Sequence, residues 1–203
     1  TIEDDFMQIE KDEIQIIEKK RLNLYKNNDE ILTTDYGAGS GSMLRSKQEM
    51  SNGVKVFKRV SQISRASKSF FWSKLIFSLI RNLKPDKSIE LGTCVGISAT
   101  YIGTAKKING NGKLKTLEGC PNIASIAQET INNSNLTNVE IVVGKFDDTF
   151  LNEASKMSPI QFLFNDGHHD KEAVLKNFDI AFKFFSKNAV IIFDDINWSK
   201  GMK

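Results

Sequence analysis

From Ser88 onward the sequence alternates between short apolar runs and amphipathic stretches, and this alternation constrains the fold more than any other feature. The apolar runs predict five strands, at Ser88–Leu91, Lys113–Leu117, Val139–Val143, Gln161–Phe164 and Ala189–Phe193. The stretches between them have the apolar spacing of helices, at about residues 97–108, 121–134, 147–157 and 171–186. Strands that alternate with helices predict a parallel sheet covered on both faces. We therefore expect an α/β fold with a doubly wound, mostly parallel sheet.

The first 84 residues have a different pattern and predict an N-terminal helical extension. Residues 2–26 and 69–83 have helical apolar spacing, and residues 54–66 predict a short basic helix. Pro85 ends the third of these helices. A glycine-serine loop at Gly37–Ser42 interrupts the extension, and it is either a lid over a ligand or a flexible linker. We expect residues 1–84 to form this extension and residues 85–203 to form the core domain.

Composition narrows the classes of protein to which the chain belongs. The formal charge is +3, which does not require a nucleic-acid partner, although Glu49 is the only acid between Arg45 and Lys84. A solvated basic face accounts for that stretch. No apolar run has the length of a membrane span, and the acidic N-terminus does not resemble a signal peptide. Cys94 and Cys120 fit no metal or disulfide spacing, so we expect a cytoplasmic protein with reduced thiols.

A two-glycine loop follows the first predicted strand, in the sequence Glu90-Leu-Gly-Thr-Cys-Val-Gly96. Gly92 and Gly96 let the backbone turn tightly and approach a ligand, and the helix that follows offers free N–H groups to an anion. The dinucleotide-binding fingerprint requires a third glycine that this loop lacks. The loop therefore indicates a nucleotide-like ligand and argues against a dehydrogenase.

Two further positions suit the same ligand. Glu118 ends the second strand about 20 residues past the glycines, where an acid binds both hydroxyls of a ribose. Phe146 and Asp147 follow the third strand, where the ring suits an adenine face and the carboxylate suits the adenine amino group. The alternatives are that Glu118 caps the next helix, and that Asp147 or Asp148 caps the helix after the third strand.

Taken together, Glu90–Ser98, Glu118–Pro121 and Gly144–Asp148 resemble class I S-adenosylmethionine-dependent methyltransferases, specifically the catechol O-methyltransferase-like branch. The resemblance covers about Ser88 to Asn197 and implies a Rossmann-like fold. It implies that Glu90 and Gly92 line the methionine end of the cofactor and that Ser98 holds its carboxylate. It likewise implies ribose at Glu118 and adenine at Phe146 with Asp147. The expected cofactor-binding set is Glu90, Gly92, Gly96, Ser98, Glu118, Phe146, Asp147 and Asp166.

Three acids follow the fourth and fifth strands, and we name Asp166, Asp194 and Asp195 the acidic rim. Converging carboxylates repel one another unless a cation or protons intervene, and oxygen ligands suit Mg²⁺. The metal-dependent members of the resembling branch hold a cation with an Asp after strand four and an Asp-Asn pair after strand five. Asp195 replaces that Asn. We expect a divalent cation here, or else an Asp166 that contacts cofactor or substrate beside ordinary loop hydrogen bonds.

His168 and His169 are the only histidines in the sequence, and both follow Asp166 closely. Histidine titrates near neutral pH and suits general-base catalysis. His169 stands where the resembling branch has a catalytic Lys, so we expect His169 to be the base and His168 to be the second candidate, with Asp166 also in the catalytic set. The expected reaction is O-methylation of a small-molecule hydroxyl, assisted by metal. The alternatives are a methyltransferase acting on RNA or another macromolecule, and a non-catalytic cofactor-binding module.

A complete fold of the resembling class continues with an antiparallel hairpin after strand five, whereas this sequence stops nine residues after Asp194. Either the chain is truncated after strand five, or its last strand is an open edge that a partner chain covers. The second alternative predicts a homodimer. We expect no nucleic-acid partner and no membrane span.

Overall fold

The structure is a computed structural model that describes residues 6–40, 43–199 and 201–202. The N-terminal part contains α1 (Gln8–Lys26), β1 (Glu30–Asp35), β2 (Gly39–Ser40), β3 (Met43–Leu44), α2 (Lys47–Asn52), β4 (Val54–Arg59), α3 (Val60–Ser64) and α4 (Phe70–Leu83). The remainder contains β5 (Lys87–Leu91), α5 (Ile97–Asn109), β6 (Lys113–Glu118), α6 (Pro121–Asn132), β7 (Val139–Val143), α7 (Phe146–Lys156), β8 (Ile160–Asn165), α8 (Lys171–Phe182) and β9 (Phe185–Phe193).

Five strands form one sheet in the order β7-β6-β5-β8-β9, and every neighbouring pair is parallel. β5 lies at the centre, because β6 and β7 extend the sheet on one side and β8 and β9 extend it on the other. The predicted α/β fold with a doubly wound parallel sheet is therefore confirmed. In such a sheet the switch point lies beside the first strand, here between the carboxyl ends of β5 and β8. β9 is an edge of the described sheet, and its pairing with a second copy stays a prediction.

The central strands are buried on both faces because helices cover both sides. Ile89 and Leu91 of β5 pack with α7 and α8 in one cluster, whereas Phe162 and Phe164 of β8 pack in the cluster on the opposite face. All four side chains are at most 1% exposed. Strands buried in this way read as nearly continuous apolar runs, which is why the sequence predicted them.

The N-terminal helices contribute to one of these two clusters. Ile14 and Ile17 of α1 and Phe77 of α4 are buried against Tyr101 and Ile102 of α5. The Phe77 ring meets the Tyr101 ring edge-on, with centroids 6.3 Å apart. The extension and the sheet thus share a hydrophobic core, and the boundary at Lys84 as a division between domains stays a prediction.

The prediction of a single helix over residues 54–66 was wrong. Val54–Arg59 forms β4, which pairs antiparallel with β1 from Glu30↔Arg59 to Asp35↔Val54, and only Val60–Ser64 is helical. Val54, Lys55 and Val56 alternate apolar and polar side chains, and β-branched residues favour strands. The helical reading missed the partner strand β1, whose hydrogen bonds hold this segment extended. The extension is therefore mixed α and β, not wholly helical.

Two residues of the glycine-serine loop belong to a short antiparallel pair of strands. Gly39 and Ser40 pair with Leu44 and Met43, whereas Gly41 and Ser42 lie outside the described residues. Elsewhere, in the described ranges, no helix combines the length and apolar character needed to cross a membrane.

The start of α5 offers a test of helix packing. Gly96 has φ +83°, and a Cβ there would lie 3.0 Å from the Ala127 backbone of α6, whereas Gly110 has φ +77° and nothing within 4 Å of a Cβ. We expect Gly110→Ala to lower the free energy of unfolding by about 1 kcal/mol, because an L side chain disfavours positive φ. Gly96→Ala should lose that amount plus about 1–3 kcal/mol from overpacking. Urea unfolding of both variants measures the difference, and equal losses would contradict the packing argument.

Candidate active site

A cavity of about 620 Å³ lies at the carboxyl ends of β5, β6 and β8. The loops after these strands form one wall. Residues 33–39 of the N-terminal part and residues between Lys58 and Lys68 form the other. Ligand-binding cavities typically occupy 300–1,000 Å³, and in open α/β sheets they occur at this end of the strands. The cavity is therefore the candidate active site.

The structure brings most of the predicted site residues to this cavity. Those that line it are Gly92, Glu118, Phe146, Asp166, His168, His169 and Asp195. The predicted residues that do not line it are Glu90, Gly96, Ser98, Asp147 and Asp194. Trp198 lines the cavity too.

The loop after β5 is tied to both neighbouring strands. The Gly92 and Thr93 N–H groups donate to the Leu117 carbonyl at 3.0 and 3.2 Å, and the Asp166 N–H donates to the Leu91 carbonyl at 2.9 Å. Gly92 has φ +96°, and a Cβ there would lie 2.5 Å from the Asp166 carbonyl oxygen. Gly92 is thus needed for the close approach of two loops at the switch point.

Glu90 lies beneath this loop and is fully buried. The Thr116 hydroxyl donates to its Oε2 at 2.5 Å, and the Ser98 hydroxyl is hydrogen-bonded to the same carboxyl group. Burial raises the pKa of Glu90 to about 8, and the nearby charges of Asp166 and Glu118 act in the same direction. Glu90 and Ser98 therefore support the loop from below the cavity.

Glu118 faces the cavity from the end of β6. Its Oε2 accepts the Cys94 N–H and its Oε1 accepts the Cys120 N–H, both at 2.9 Å. Burial nevertheless raises the pKa of Glu118 to about 7, against the effect of these hydrogen bonds. A carboxylate has lone pairs for further donors. Glu118 is therefore held rigidly and retains the capacity to bind hydroxyl groups.

Phe146 and His168 form an aromatic end of the cavity, with ring centroids 4.9 Å apart. His168 Nδ1 is buried and has no hydrogen-bond partner among the described residues. Burial lowers the pKa of His168. Asp147 points away, since its Oδ1 accepts from Lys176 Nζ at 2.7 Å in an exposed pair.

The acidic rim is divided by a lysine that the sequence analysis did not anticipate. Lys68 Nζ lies 3.1 Å from Asp166 Oδ1 and also contacts the Asp194 carboxylate. Burial raises the pKa of Asp166 to about 7, and Lys68 opposes that rise. Asp195 instead faces His169. The three acids thus do not converge on one vacant point, and the set does not fit a resident divalent cation held as predicted.

A second group of side chains at the cavity contains His169, Asp195 and Trp198. His169 Nε2 lies 3.4 Å from Asp195 Oδ2, and the imidazole and indole centroids are 5.1 Å apart. Burial lowers the pKa of His169, an effect that Asp195 partly offsets. Both histidines and Asp195 have positive φ, at +72°, +45° and +52°. Backbone strain of this kind concentrates at functional sites.

The N-terminal wall is the second feature that the sequence analysis missed, apart from noting a glycine-serine loop as either lid or linker. The Ala38 N–H donates to the His168 carbonyl at 3.0 Å, and the Thr34 N–H donates to Cys120 Sγ at 3.3 Å. Lys145 Nζ lies 5.4 Å from the centroid of the Tyr36 ring. These contacts place the segment against the cavity, nearer to the lid alternative. For Lys68, the available signal was the excess of basic residues after Arg45.

The buried Glu90 carboxyl predicts a pH dependence of stability. A folded-state pKa of about 8, raised from 4.5, gives stability that is complete below about 4.5 and is lost as the pH rises through about 8. A pKa shift of one unit corresponds to about 1.4 kcal/mol. The wild-type free energy of unfolding should therefore fall between about pH 5 and about pH 9, and we expect Glu90→Gln to make this fall smaller by roughly 2–4 kcal/mol. Urea unfolding across this range measures it. The exposed Asp179→Asn variant should follow the wild type, and parallel curves for all three would contradict the assignment.

Comparison with known proteins agrees with this geometry. The O-methyltransferase from Bacillus cereus, solved in complex with SAH, is 26% identical with a TM-score of 0.60, and the match covers 67% of this chain and 61% of that one. TomG from Streptomyces achromogenes, an O-methyltransferase solved in complex with SAM, is 25% identical with a TM-score of 0.59, covering 64% and 58%. Cofactor-bound Rv0187 from MTB is 26% identical with a TM-score of 0.59, covering 65% and 58%.

The chain spans about three fifths of the length of these solved relatives. No curated protein sequence matches it. A family described as "Methyltransferase domain" matches residues 89–196, which is more than half of the chain and includes the loop after β5, Glu118 and the acidic rim. The chain therefore belongs to the methyltransferase-domain family, and its resemblance to class I S-adenosylmethionine-dependent methyltransferases is confirmed.

Proposed function

We propose that this chain binds S-adenosylmethionine in the cavity and transfers its methyl group to a hydroxyl oxygen of a small molecule. The observation that carries the proposal is Glu118, a half-buried carboxylate facing the cavity from the end of β6, beside the glycine loop after β5. The relatives solved with SAH and SAM are O-methyltransferases, which supports the same ligand and the same acceptor atom here.

The residues of the cavity fit this cofactor. Glu118 would accept the ribose hydroxyls, as an acid at the end of the second strand does in nucleotide-binding folds. Phe146 offers a ring face to adenine, beside a His168 Nδ1 that has no partner in the described structure. The amino end of α5, which begins at Ile97, lies behind the loop whose Gly92 and Cys94 line the cavity, and its positive dipole would act on the methionine carboxylate from there.

For two other residues that were predicted to bind the cofactor, Ser98 and Asp147, the proposed roles differ from the prediction. Ser98 lies in the first turn of α5 with its hydroxyl on Glu90, so its role in the proposal is to orient that turn. Asp147 is paired with Lys176 at the surface, so Phe146 is retained as the adenine contact and Asp147 would have to leave that pair to join it.

The bound cofactor supplies a methyl group already activated on a positively charged sulfur. The residues of the chain then have to hold the acceptor and remove its proton. His169 suits the second task, because its lowered pKa keeps the imidazole neutral and able to accept a proton near neutral pH. Asp195 Oδ2, 3.4 Å from Nε2, would stabilise the imidazolium that forms. Trp198 beside this ring would exclude water.

The geometry supports His169 over His168 as the base. The His168 ring lies against Phe146, the residue assigned to adenine, whereas the His169 ring lies against Trp198 and beside Asp195. The side chain of Asp166 is paired with Lys68. No step of this mechanism passes through a metal ion, since that pairing does not fit one.

A role in RNA methylation is less well supported by the same contacts. Binding of a phosphate backbone needs cations that are available to it. Lys58 lies 3.5 Å from Asp35, and Lys68 is paired with two acids, so both basic residues from this stretch that line the cavity are engaged. We infer a small-molecule acceptor and no nucleic-acid partner. The free thiols of Cys94 and Cys120 support a cytoplasmic setting, where thiols remain reduced.

Ribose binding at Glu118 predicts a loss of affinity for the product cofactor. We expect Glu118→Gln to bind S-adenosylhomocysteine about 10–100-fold more weakly, because hydrogen bonds to a charged acceptor are worth roughly 1.5–3 kcal/mol. Isothermal titration calorimetry measures the affinity, and Glu140→Gln on β7 is the matched control. A wild type that binds NAD and not S-adenosylhomocysteine would sink the proposal.

Proton removal by His169 predicts a separation of turnover from binding. We expect His169→Ala to lower kcat by about 10²–10⁴ while the Kd for S-adenosylhomocysteine changes less than about threefold. Transfer of labelled methyl from S-adenosylmethionine to a panel of phenols and sugars gives kcat on the best acceptor. His168→Asn should reduce kcat less. Joint loss of turnover and binding in His169→Ala would instead assign His169 to the cofactor pocket.

A further inference from the structure

We propose that Lys68 is the built-in cation of the acidic rim, occupying the position between Asp166 and Asp194 that the sequence leaves for a divalent metal. The site needs no metal ion on this view, because the polypeptide supplies the compensating charge itself.

The first support is the geometry of the three groups. Lys68 Nζ lies 3.1 Å from Asp166 Oδ1 and contacts the Asp194 carboxylate as well, so one ammonium joins the ends of β8 and β9. The side chains of Lys68 and Asp166 are each 14% exposed and that of Asp194 is 29% exposed. Solvent screens such a sheltered pair much less than it screens a surface ion pair.

The second support is that the Lys68 backbone is fixed in place. Its carbonyl accepts from Arg21 Nη1 at 2.5 Å and from the Ser73 hydroxyl at 3.3 Å. Arg21 is itself buried on α1 and bonded to both Glu18 and Ser73. Lys68 therefore projects toward the rim from a segment anchored to α1 and α4, and its ammonium belongs to the folded structure.

The third support comes from the other side chains near the acidic rim that could bind a metal ion. Donor atoms of Asp166, His169 and Asp195 lie within 4.8 Å of one another, which is a spacing that a metal can use. A divalent ion bound there would share Asp166 with the ammonium, and like charges at such a distance repel. The rim is thus arranged for one positive charge, already present, and disfavours a second.

This charge has a consequence for catalysis, and that part of the inference rests on the proposed function. Lys68 lines the same cavity as His169, the proposed base. Its ammonium would offset the charges of Asp166 and Asp194 and so lessen their repulsion of the developing oxyanion. Lys68 would do so without the exchange and loss to which a bound metal is subject.

Manganese binding tests the charge assignment without reference to methyl transfer. We expect electron paramagnetic resonance to show weak Mn²⁺ binding by the wild-type protein. Lys68→Met should bind Mn²⁺ at least about tenfold more tightly, because removing the ammonium leaves carboxylate oxygens of the kind that hard cations prefer. Lys187→Met, an exposed change on β9, should behave as the wild type. Adding Asp194→Asn to Lys68→Met should restore weak binding.

Two results would overturn the proposal. One is tight Mn²⁺ binding by the wild type, and the other is a folded Lys68→Met protein with no gain in Mn²⁺ affinity. Circular dichroism reports whether the variant is folded, and Lys68→Gln, which keeps hydrogen-bonding capacity, replaces it if Lys68→Met is not. S-adenosylhomocysteine titration of the wild type separates the two claims, because failure to bind it would end the proposed function while leaving the Mn²⁺ result intact.

Discussion

The carboxyl ends of β5, β6 and β8 bring three acidic side chains into one small region, where Glu90 is fully buried and Glu118 and Asp166 are half-buried. The cost of removing these acids from water governs how the residues around them are arranged. Burial raises the pKa of Glu90 to about 8 and those of Glu118 and Asp166 to about 7. Each acid is stabilised by a different group. A threonine hydroxyl donates to Glu90, backbone N–H groups donate to Glu118, and the ammonium of Lys68 forms an ion pair with Asp166. The parallel sheet brings these acids together, because its strand ends meet at one edge.

Because the acids are stabilised by different groups, the parts of the cavity near them differ in chemistry. Glu118 is held by two backbone N–H groups at the end of β6, and Phe146 follows the neighbouring strand β7, so these strand ends supply one polar and one aromatic group. At Asp166 the charge is balanced by Lys68. His169 and Asp195 form the only pair of a neutral base and an acid among the described residues that line the cavity. The proposed assignment of cofactor and acceptor follows this division.

Local pattern was sufficient for the sheet and for the residues that follow its strands. β5 and β8 were predictable because double burial makes their sequences apolar, and Glu118 and Asp166 were predictable because they come directly after such strands. Lys68 and β4 were not, because each depends on a partner distant in sequence. The residues of Val54–Arg59 do not indicate that this segment pairs with β1. The sequence around Lys68 likewise does not indicate that its ammonium contacts Asp194. Gly96 was predicted to approach a ligand, yet its missing side chain serves the contact with Ala127.

The N-terminal wall has a consequence for the rate at which a bound molecule can leave. The segment around Tyr36 is fastened to the strand-end loops by individual bonds, such as those from Ala38 to His168 and from Thr34 to Cys120, and not by continuous sheet pairing. Single contacts of this kind open locally far more often than the whole protein unfolds. Dissociation of a product held behind the segment would then follow the opening frequency of the segment. Substitutions that weaken these hydrogen bonds would then change the residence time of the bound molecule, whereas substitutions of Glu118 would change its affinity.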